Sequence, residues 1–286
     1  MPPVALPPST RISSITLQVP SIRESLAFYR DLLGFVVTEV GSSRTGLSAE
    51  QKEEPFVFLV EKGDATPRPR GTTGLFHAAF LFPDRRELAR VYRRLYEHGW
   101  PFQGFADHGV SEALYLTDPH GNGLELYADR PRAQWPYRNG ELHMVTEPLD
   151  LDSLLVGLDQ NNHDSADGGL TRIGHIHLNV SDLKKAKRFY HELLGFTVTQ
   201  ETIPGALFVA AGDYHHHLGL NIWNGPGAPS SPPDAIGLIQ FDIGVPHAGV
   251  IAQLADRLHE EGVTLAARPN GFRTTDFDGL ALLIHH

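Results

Sequence analysis

Four stretches of this chain concentrate residue types that bind metals or transfer protons. They are RIGHIHLNV (172–180), GLFHAAFLFP (74–83), DPHGNGLELYA (118–128) and GDYHHHLGL (212–220). Imidazole and carboxylate groups are ligands of divalent metals, and histidine also exchanges protons near neutral pH. The chain has 16 histidines and no cysteine, which excludes disulfides, thiolate metal sites and a cysteine nucleophile.

The first stretch has a near copy at the start of the chain. In RISSITLQV (11–19) the apolar residues keep their places, but Ser14 stands where His175 stands and Thr16 where His177 stands. Both copies alternate apolar and polar residues with the period of a strand. A duplicated strand has therefore kept its histidines in one copy only.

The similarity extends beyond this strand. SIRESLAFYRDLLGFVVT (21–38) matches SDLKKAKRFYHELLGFTVT (181–199), and each predicts an amphipathic helix, a glycine that ends it and another strand. A fainter pair begins with GLFHAAFLFP and GLIQFDIGVP (237–246), each followed by a predicted helix, at 85–99 and 247–262. Internal repetition of this kind indicates a fold built from one unit.

The chain is predicted to consist of four β-α-β-β-β units, numbered one to four, at residues 10–62, 73–130, 171–224 and 236–286. Between units two and three, the stretch 131–170 predicts a linker with one helical turn at DLDSLL and the polar run DQNNHDSADGG. This linker is long enough to let the units be rearranged in space.

Composition limits the classes of partner. The net charge is −10 with histidine neutral, which argues against binding to nucleic acid. The start MPPVALPPST lacks the pattern of a signal peptide, and no run of about 18 apolar residues predicts a membrane span. We therefore expect a cytoplasmic protein with no membrane partner.

The repeated strand–helix pattern, the helix ending in LLGF and the motif DPxGNxxEL resemble the vicinal oxygen chelate superfamily, which includes glyoxalase I, bleomycin resistance proteins and extradiol dioxygenases. GVSEALYLTDPHGNGLELYADRP (109–131) and GDYHHHLGLNIWNGPGAP (212–229) look most like the bacterial catechol 2,3-dioxygenase-like group. The resemblance implies an α+β fold in which units pair into cupped mixed β-sheets with the helices outside. It also implies an N-terminal domain at 1–130, a linker at 131–170 and a C-terminal domain at 171–286.

In this superfamily the first and last strands of the units hold a divalent metal. The resemblance places the first-strand positions at Ser14, His77, His175 and Gln240. It places the last-strand positions of units two, three and four at Glu125, Gly219 and Leu283, while Glu61 of unit one lies too near its strand end. We therefore expect His77, His175 and Glu125 to bind the metal.

Two histidines and one carboxylate leave open positions on an octahedral Fe(II), as an oxygenase needs. Relatives usually hold the metal in units three and four. Here the ligands lie in units two and three, so we expect these two units to pair, within one chain or across a dimer. Units one and four would form a counterpart without ligands.

Further positions follow from the same resemblance. His216 matches the catalytic histidine of ring-cleaving relatives, with His217 on the opposite strand face as the alternative base or a fourth ligand. Tyr115 has the spacing from Glu125 of a tyrosine that binds the substrate oxygen. His108 lies near another site histidine, although its spacing is two residues off. The remaining candidates are His177, on the same strand face as His175, and Asn221 and Trp223 at the pocket mouth, with the core as the favoured alternative for Trp223.

The expected activity is extradiol cleavage of a small aromatic diol by O₂ with Fe(II), or with Mn(II) as the alternative. One rival is a glyoxalase-type isomerase or lyase, which would use two carboxylates. A second rival is a resistance-type protein that sequesters its ligand without a metal triad. The sequence leaves the ring substituents and the formation of a homo-oligomer open.

Overall fold

The computed structural model describes residues 5–138, 140–159 and 170–286. Unit one consists of β1 (Arg11–Val19), α1 (Ile22–Tyr29), β2 (Val36–Val40), β3 (Arg44–Ser48) and β4 (Val57–Glu61). Unit two consists of β5 (Gly74–Leu81), α2 (Arg85–Glu97), β6 (Phe102–Asp107), β7 (Ser111–Thr117) and β8 (Gly123–Asp129).

The second half of the chain repeats this plan. The segment before it contains a 3₁₀ turn (Arg132–Gln134), the short strands β9 (Tyr137–Arg138) and β10 (Glu141–Leu142), and α3 (Leu151–Asp159). Unit three consists of β11 (Arg172–Asn179), α4 (Leu183–Ala186), a π-helical continuation (Lys187–Leu193), β12 (Thr197–Gln200), β13 (Ala206–Ala210) and β14 (Leu218–Asn221). Unit four consists of β15 (Gly237–Gly244), α5 (Ala248–Glu260), β16 (Ala266–Arg268), β17 (Gly271–Thr275) and β18 (Ala281–His285).

The units pair into two eight-stranded mixed sheets. The first sheet joins units four and one in the order β16-β17-β18-β15-β1-β4-β3-β2. The second sheet joins units three and two in the order β12-β13-β14-β11-β5-β8-β7-β6. The predicted α+β fold of paired units is confirmed, and the pairing of unit two with unit three lies within one chain. Each sheet draws on both halves of the sequence, and the division of the chain at 130 and 170 stays a prediction.

Strand alternation gives each sheet two different faces. On β5, Ala78 and Phe80 join the large apolar core, which also contains Leu88 and Leu95 of α2. The intervening His77 and Ala79 point to the opposite face. The helices therefore cover one face of the second sheet and leave its other face to form a cavity.

Local signals fix the helix ends. The side chains of Ser21, Asp84 and Asp182 accept hydrogen bonds from backbone N–H groups in the first turns of α1, α2 and α4. The predicted stop glycines Gly34 and Gly195 both have left-handed φ values, 87° and 86°, which favour glycine.

The linker differs from its prediction. The single helical turn expected at DLDSLL is the start of α3, which is nine residues long. Its apolar residues explain the extra length, because Leu154 is fully buried and joins the large core. Residues 160–169 of the predicted polar run lie outside the described residues. Among the described residues, no helix is long and apolar enough to span a membrane.

Two buried tyrosine–aspartate hydrogen bonds connect the two sheets. Tyr29 at the end of α1 donates to Asp118 of unit two at 3.0 Å, and Tyr190 of unit three donates to Asp276 of unit four at 2.7 Å. Both tyrosines are fully buried. The DPxGN motif that carried part of the resemblance is thus structural, since Asp118 also accepts from the backbone of Asn122 at 2.9 Å.

We expect Tyr29→Phe and Tyr190→Phe each to lower the free energy of unfolding by about 1–3 kcal/mol, because each removes one hydrogen-bond donor from a buried carboxylate. Urea denaturation of the variants checks this. Tyr137→Phe is the control, since Tyr137 is exposed and should not change the midpoint. Midpoints unchanged in the two buried variants would contradict a stabilising role for these bonds.

Candidate metal centre and active site

Three predicted ligands come from three adjacent strands of the second sheet. His77 lies on β5 and His175 on β11, which pair antiparallel, and Glu125 lies on β8, which pairs parallel with β5. In the ladders, Ala79 is opposite both His175 and Glu125. The small side chain of Ala79 therefore sits between the larger groups, and all three ligand side chains lie on the cavity face.

The ligand atoms converge on one another. One donor atom from each of His77, Glu125 and His175 lies within 4.8 Å of the others, and all three residues are buried. Glu125 Oε2 is 3.0 Å from His77 Nε2 and 3.1 Å from His175 Nε2. His77 Nε2 is close to Glu125 Oε2, but it is buried without a well-oriented hydrogen bond. Two imidazole nitrogens and a carboxylate oxygen aimed at one buried point fit a divalent metal.

The charges at this point also suit metal binding. Burial lowers the pKa of His175 to about 4, against the attraction of Glu125, so the ring is neutral near pH 7. Burial raises the pKa of Glu125, but the contacts with His175 and His77 outweigh it and hold that pKa well below its usual range. The site therefore offers a neutral imidazole at His175 and an ionised carboxylate at Glu125, the forms that coordinate metals.

A hydrogen-bonded chain positions His216 next to the triad. His216 Nδ1 is 2.8 Å from His215 Nδ1, and His215 Nε2 is 3.1 Å from Asp129 Oδ1. Because a carboxylate only accepts, His215 Nε2 donates to Asp129, and in the tautomer with its proton on Nε2 His215 accepts from His216 Nδ1–H. This leaves His216 Nε2 as an unprotonated lone pair. Burial and the neighbouring histidines hold the pKa of His216 well below its usual range.

A second pair of hydrogen bonds orients Tyr115. Its hydroxyl is 2.8 Å from His108 Nε2, and His108 Nδ1 is 2.8 Å from the carbonyl oxygen of Val145. Since the carbonyl accepts from Nδ1–H, the Nε2 of a neutral His108 accepts from the tyrosine. The predicted neighbour His108 is thus in the site despite its shifted spacing. Burial, and then the negative charge of Glu125, raise the pKa of Tyr115 well above its usual range.

Gly219 and His177 break the symmetry between units two and three. In unit two, Ala79 pairs with Glu125, whereas in unit three His177 pairs with Gly219. A Cβ on Gly219 would lie 2.8 Å from His177 Cγ, so the glycine makes room for this ring. His177 Nε2 is buried without a hydrogen-bond partner among the described residues, and the ring lines the cavity. Unit three therefore supplies an imidazole where unit two supplies a carboxylate.

These groups line a cavity of about 560 Å³. The triad, His216, Tyr115, His108 and His177 all contribute to its wall. Edge strands, linker and loops add further residues, namely Gln103, Met144, Val145, Thr146, Gln200, Ile203, Phe208 and Trp223. The cavity combines a buried metal-type centre with mostly apolar walls, as is typical of small-molecule sites.

Comparison with known proteins agrees with this architecture. The profile described as the Glyoxalase/Bleomycin resistance protein/Dioxygenase superfamily matches residues 11–126 and 172–276. The chain belongs to this superfamily. A catechol-2,3-dioxygenase of Bacillus subtilis (strain 168) is 43% identical over 270 residues, which are 93% of this chain and 94% of the relative. A biphenyl-2,3-diol 1,2-dioxygenase of Rhodococcus globerulus is 30% identical over 135 residues, 46% of this chain and 71% of the relative.

Solved structures of the superfamily share the fold. A Bacillus subtilis structure that carries a provisional dioxygenase name aligns with a TM-score of 0.70 at 13% identity, over 99% of this chain and 86% of the other. Glyoxalase I from Zea mays aligns with a TM-score of 0.60 at 16% identity, over 97% and 92% of the two chains. At these identities the likeness concerns the fold alone.

In the first sheet, Ser14 and Gln240 stand at the positions that correspond to His175 and His77. Ser14 Oγ donates to Asp242 Oδ2 at 2.7 Å, and Gln240 Nε2 donates to Asp242 Oδ1 at 2.7 Å. The two positions equivalent to the histidines thus satisfy a buried carboxylate with hydrogen bonds. Within the described part of the chain, the group of residues placed to hold a metal ion is the one formed by His77, Glu125 and His175.

Other predicted positions lie elsewhere. His217 lines a separate cavity of about 190 Å³, and its Nδ1 accepts from the backbone of Ala211 at 3.1 Å, a placement that favours His216 over it as the base. The alternative of a core position for Trp223 is wrong, because half of its surface is exposed at the cavity mouth. Asn221 is buried and accepts from the backbone of Trp223. Glu61 accepts from the backbone of Ile22, which ties β4 to α1.

Several site residues had no sequence signal. Met144, Val145 and Thr146 belong to the stretch predicted as a linker, and they reach the cavity because Asp107 and Glu147 form a β-bridge. Asp129 stands at the end of β8, four residues after Glu125, and its contact with His215 depends on the pairing of units. The sequence indicated only that Asp129 shares a face of β8 with Glu125, because strand alternation puts residues 125, 127 and 129 on one side.

We expect His77→Ala, Glu125→Gln and His175→Ala each to abolish stoichiometric binding of Fe(II) or Mn(II), because each removes one of three ligands. Mass spectrometry of the metal content checks this. In the unmodified chain, metal at about 1,000 times its dissociation constant should stabilise the fold by about 4 kcal/mol.

His217→Ala is the matched control, since it also removes a buried histidine of unit three but not one that lines this cavity. It should retain one metal per chain. Full metal content in any of the three ligand variants would contradict the proposed centre.

Proposed function

We propose that this chain is a metal-dependent extradiol dioxygenase that opens the ring of a catechol-type diol with O₂. The observation that carries the proposal is the convergence of His77, Glu125 and His175 beside the unprotonated nitrogen of His216. The 43% identity to a catechol-2,3-dioxygenase over nearly the whole chain supports it. Both oxygen atoms of O₂ enter the ring-opened product, so the reaction needs no external reductant.

The metal of the proposal is Fe(II), with Mn(II) as the alternative. Two histidines and one carboxylate are the ligand set of non-haem Fe(II) oxygenases, in which the metal keeps open positions for substrate and O₂. A metal held by these three residues would supply Lewis-acid coordination for the diol and O₂. Gly219 fits a centre with three protein ligands, because no carboxylate enters from unit three.

His216 is proposed to accept a proton from a diol hydroxyl. Its Nε2 carries no proton in the tautomer set by His215 and Asp129, and its low pKa keeps the ring neutral near pH 7. A neutral imidazole next to the substrate can act as the general base. The ring centroid of His216 is 4.1 Å from that of His175, so the base would act on a diol hydroxyl that lies beside the triad.

Tyr115 is proposed to position the other side of the diol. Tyr115 lines the cavity, and because its hydroxyl donates to His108, its oxygen can accept from a substrate hydroxyl. The raised pKa keeps the phenol protonated near pH 7. Tyr115 and His216 line the same cavity and would fix the plane of the diol between them.

The two rival functions fit this site less well. A glyoxalase-type isomerase would use a second carboxylate, and the structural equivalent of Glu125 in unit three is Gly219. A sequestering protein would have no use for three converging buried ligands. A cytoplasmic location and a homo-oligomer stay predictions from the sequence.

The test is anaerobic reconstitution with Fe(II), followed by addition of catechol in air and detection of the yellow ring-opened product. Colour that depends on Fe(II) and on His77 supports the proposal. Metal bound at the triad without any ring-opened product from catechol or substituted catechols would overturn it.

We expect Asp129→Asn to lower kcat by about 10- to 1,000-fold, since an amide N–H would donate to His215, reverse its tautomer and leave His216 Nε2 protonated. Steady-state kinetics and metal analysis check this, and the metal content and KM should change little. Asp107→Asn is the control, because this half-buried carboxylate pairs with Arg130 instead. Equal kcat values for the two variants would contradict the hydrogen-bonded chain.

A further inference from the structure

The cavity is larger than a single ring requires. A dry apolar cavity of about 150 Å³ is enough to bind benzene, whereas this one measures about 560 Å³. Bound O₂ and two hydroxyl groups occupy only part of the difference. Space for a second group about the size of a ring therefore remains beside the diol.

The outer part of this space is built from exposed apolar side chains. Phe76 is 42% exposed, Ile203 37% and Trp223 50%, and all three line the cavity. In the described part of the chain only seven large apolar side chains are exposed, so nearly half of them gather here. Clustered exposed apolar surface is typical of a ligand-binding site.

An aromatic wall runs from this rim to the metal centre. The ring of Trp223 lies 5.4 Å from that of Phe76 and 5.4 Å from that of His177, and His177 lies 5.1 Å from His77. The contacts of Phe76 with Trp223 and of His77 with His177 are edge-to-face, and a wall of such rings favours an aromatic guest. Trp223 is held in place, because its indole N–H donates to the carbonyl of Pro204 at 3.2 Å. The wall is thus formed before a ligand enters.

Among the described residues, the lining also lacks a lysine or arginine that could pair with an acidic substituent. Among the described residues that line the cavity there is no lysine, arginine or aspartate, and Glu125 belongs to the triad. A carboxylate on the ring would lose its hydration without gaining an ion pair. The wall therefore disfavours acidic catechols and favours apolar ones.

We propose that the substrate is a catechol that carries an uncharged aryl-sized substituent, which packs against Trp223, Phe76 and Ile203 while the diol lies at the triad. The inference rests on the proposed function for the placement of the diol. It goes beyond that function by naming the substrate class.

The test is anaerobic calorimetry with the Fe(II)-loaded protein, which measures binding apart from turnover. The ligands are catechol, 3-phenylcatechol, 4-phenylcatechol and 3,4-dihydroxybenzoate. We expect the better phenylcatechol to bind about 10- to 100-fold more tightly than catechol, as burial of one aromatic ring predicts. The benzoate should bind more weakly than catechol.

Trp223→Ala should reduce the ratio of the two dissociation constants, catechol to phenylcatechol, by about tenfold or more. Tyr96→Ala is the matched control, since Tyr96 is an exposed aromatic residue on α2 that does not line the cavity. This control should leave the ratio unchanged.

The two proposals fail in different ways. Equal affinity for catechol and both phenylcatechols, or the same ratio after Trp223→Ala, would overturn the inference about the substrate class. Admission of air then tests the reaction separately. Tight, Trp223-dependent binding without ring opening would overturn the dioxygenase and retain the aryl-binding wall.

Discussion

The antiparallel pairing of β5 with β11 is the contact on which the site depends. Its register places His77 opposite His177 and His175 opposite Ala79, so histidines from distant parts of the sequence face one cavity. A shift by one residue would turn these side chains to the helix-covered face. The buried tyrosine–aspartate bonds between the sheets and the shared apolar core hold the paired units together.

The difference between Gly219 and Glu125 gives this pseudo-symmetric sheet its chemistry. A fully symmetric pair of units would bring two histidines and two carboxylates to the centre. Replacement of the second carboxylate by glycine gives three ligands and makes room for the His177 ring. The first sheet shows the alternative outcome, in which Ser14 and Gln240 satisfy Asp242 and form a polar network within the sheet.

The sequence predicted the parts of the fold that repeat. Internal similarity and the spacing of the DPxGN turn predicted the strands that carry His77, His175 and Glu125. The pairing of unit two with unit three was predicted because these two units kept the histidines. Val145, which contacts His108, lies outside the repeated units, and the contact of Asp129 with His215 joins two different units. Only the folded chain brings them together, because strand alternation gives the face of a residue and not its neighbour on another strand.

The central claim is that one chain holds one metal between units two and three. A crystal structure of the protein grown anaerobically with Fe(II), with anomalous diffraction recorded at the iron edge, tests it most directly. We expect one anomalous peak per chain, about 2.0–2.3 Å from a nitrogen of His77, a nitrogen of His175 and an oxygen of Glu125. A peak at the first sheet, a peak shared between two chains, or no peak at the triad would contradict it.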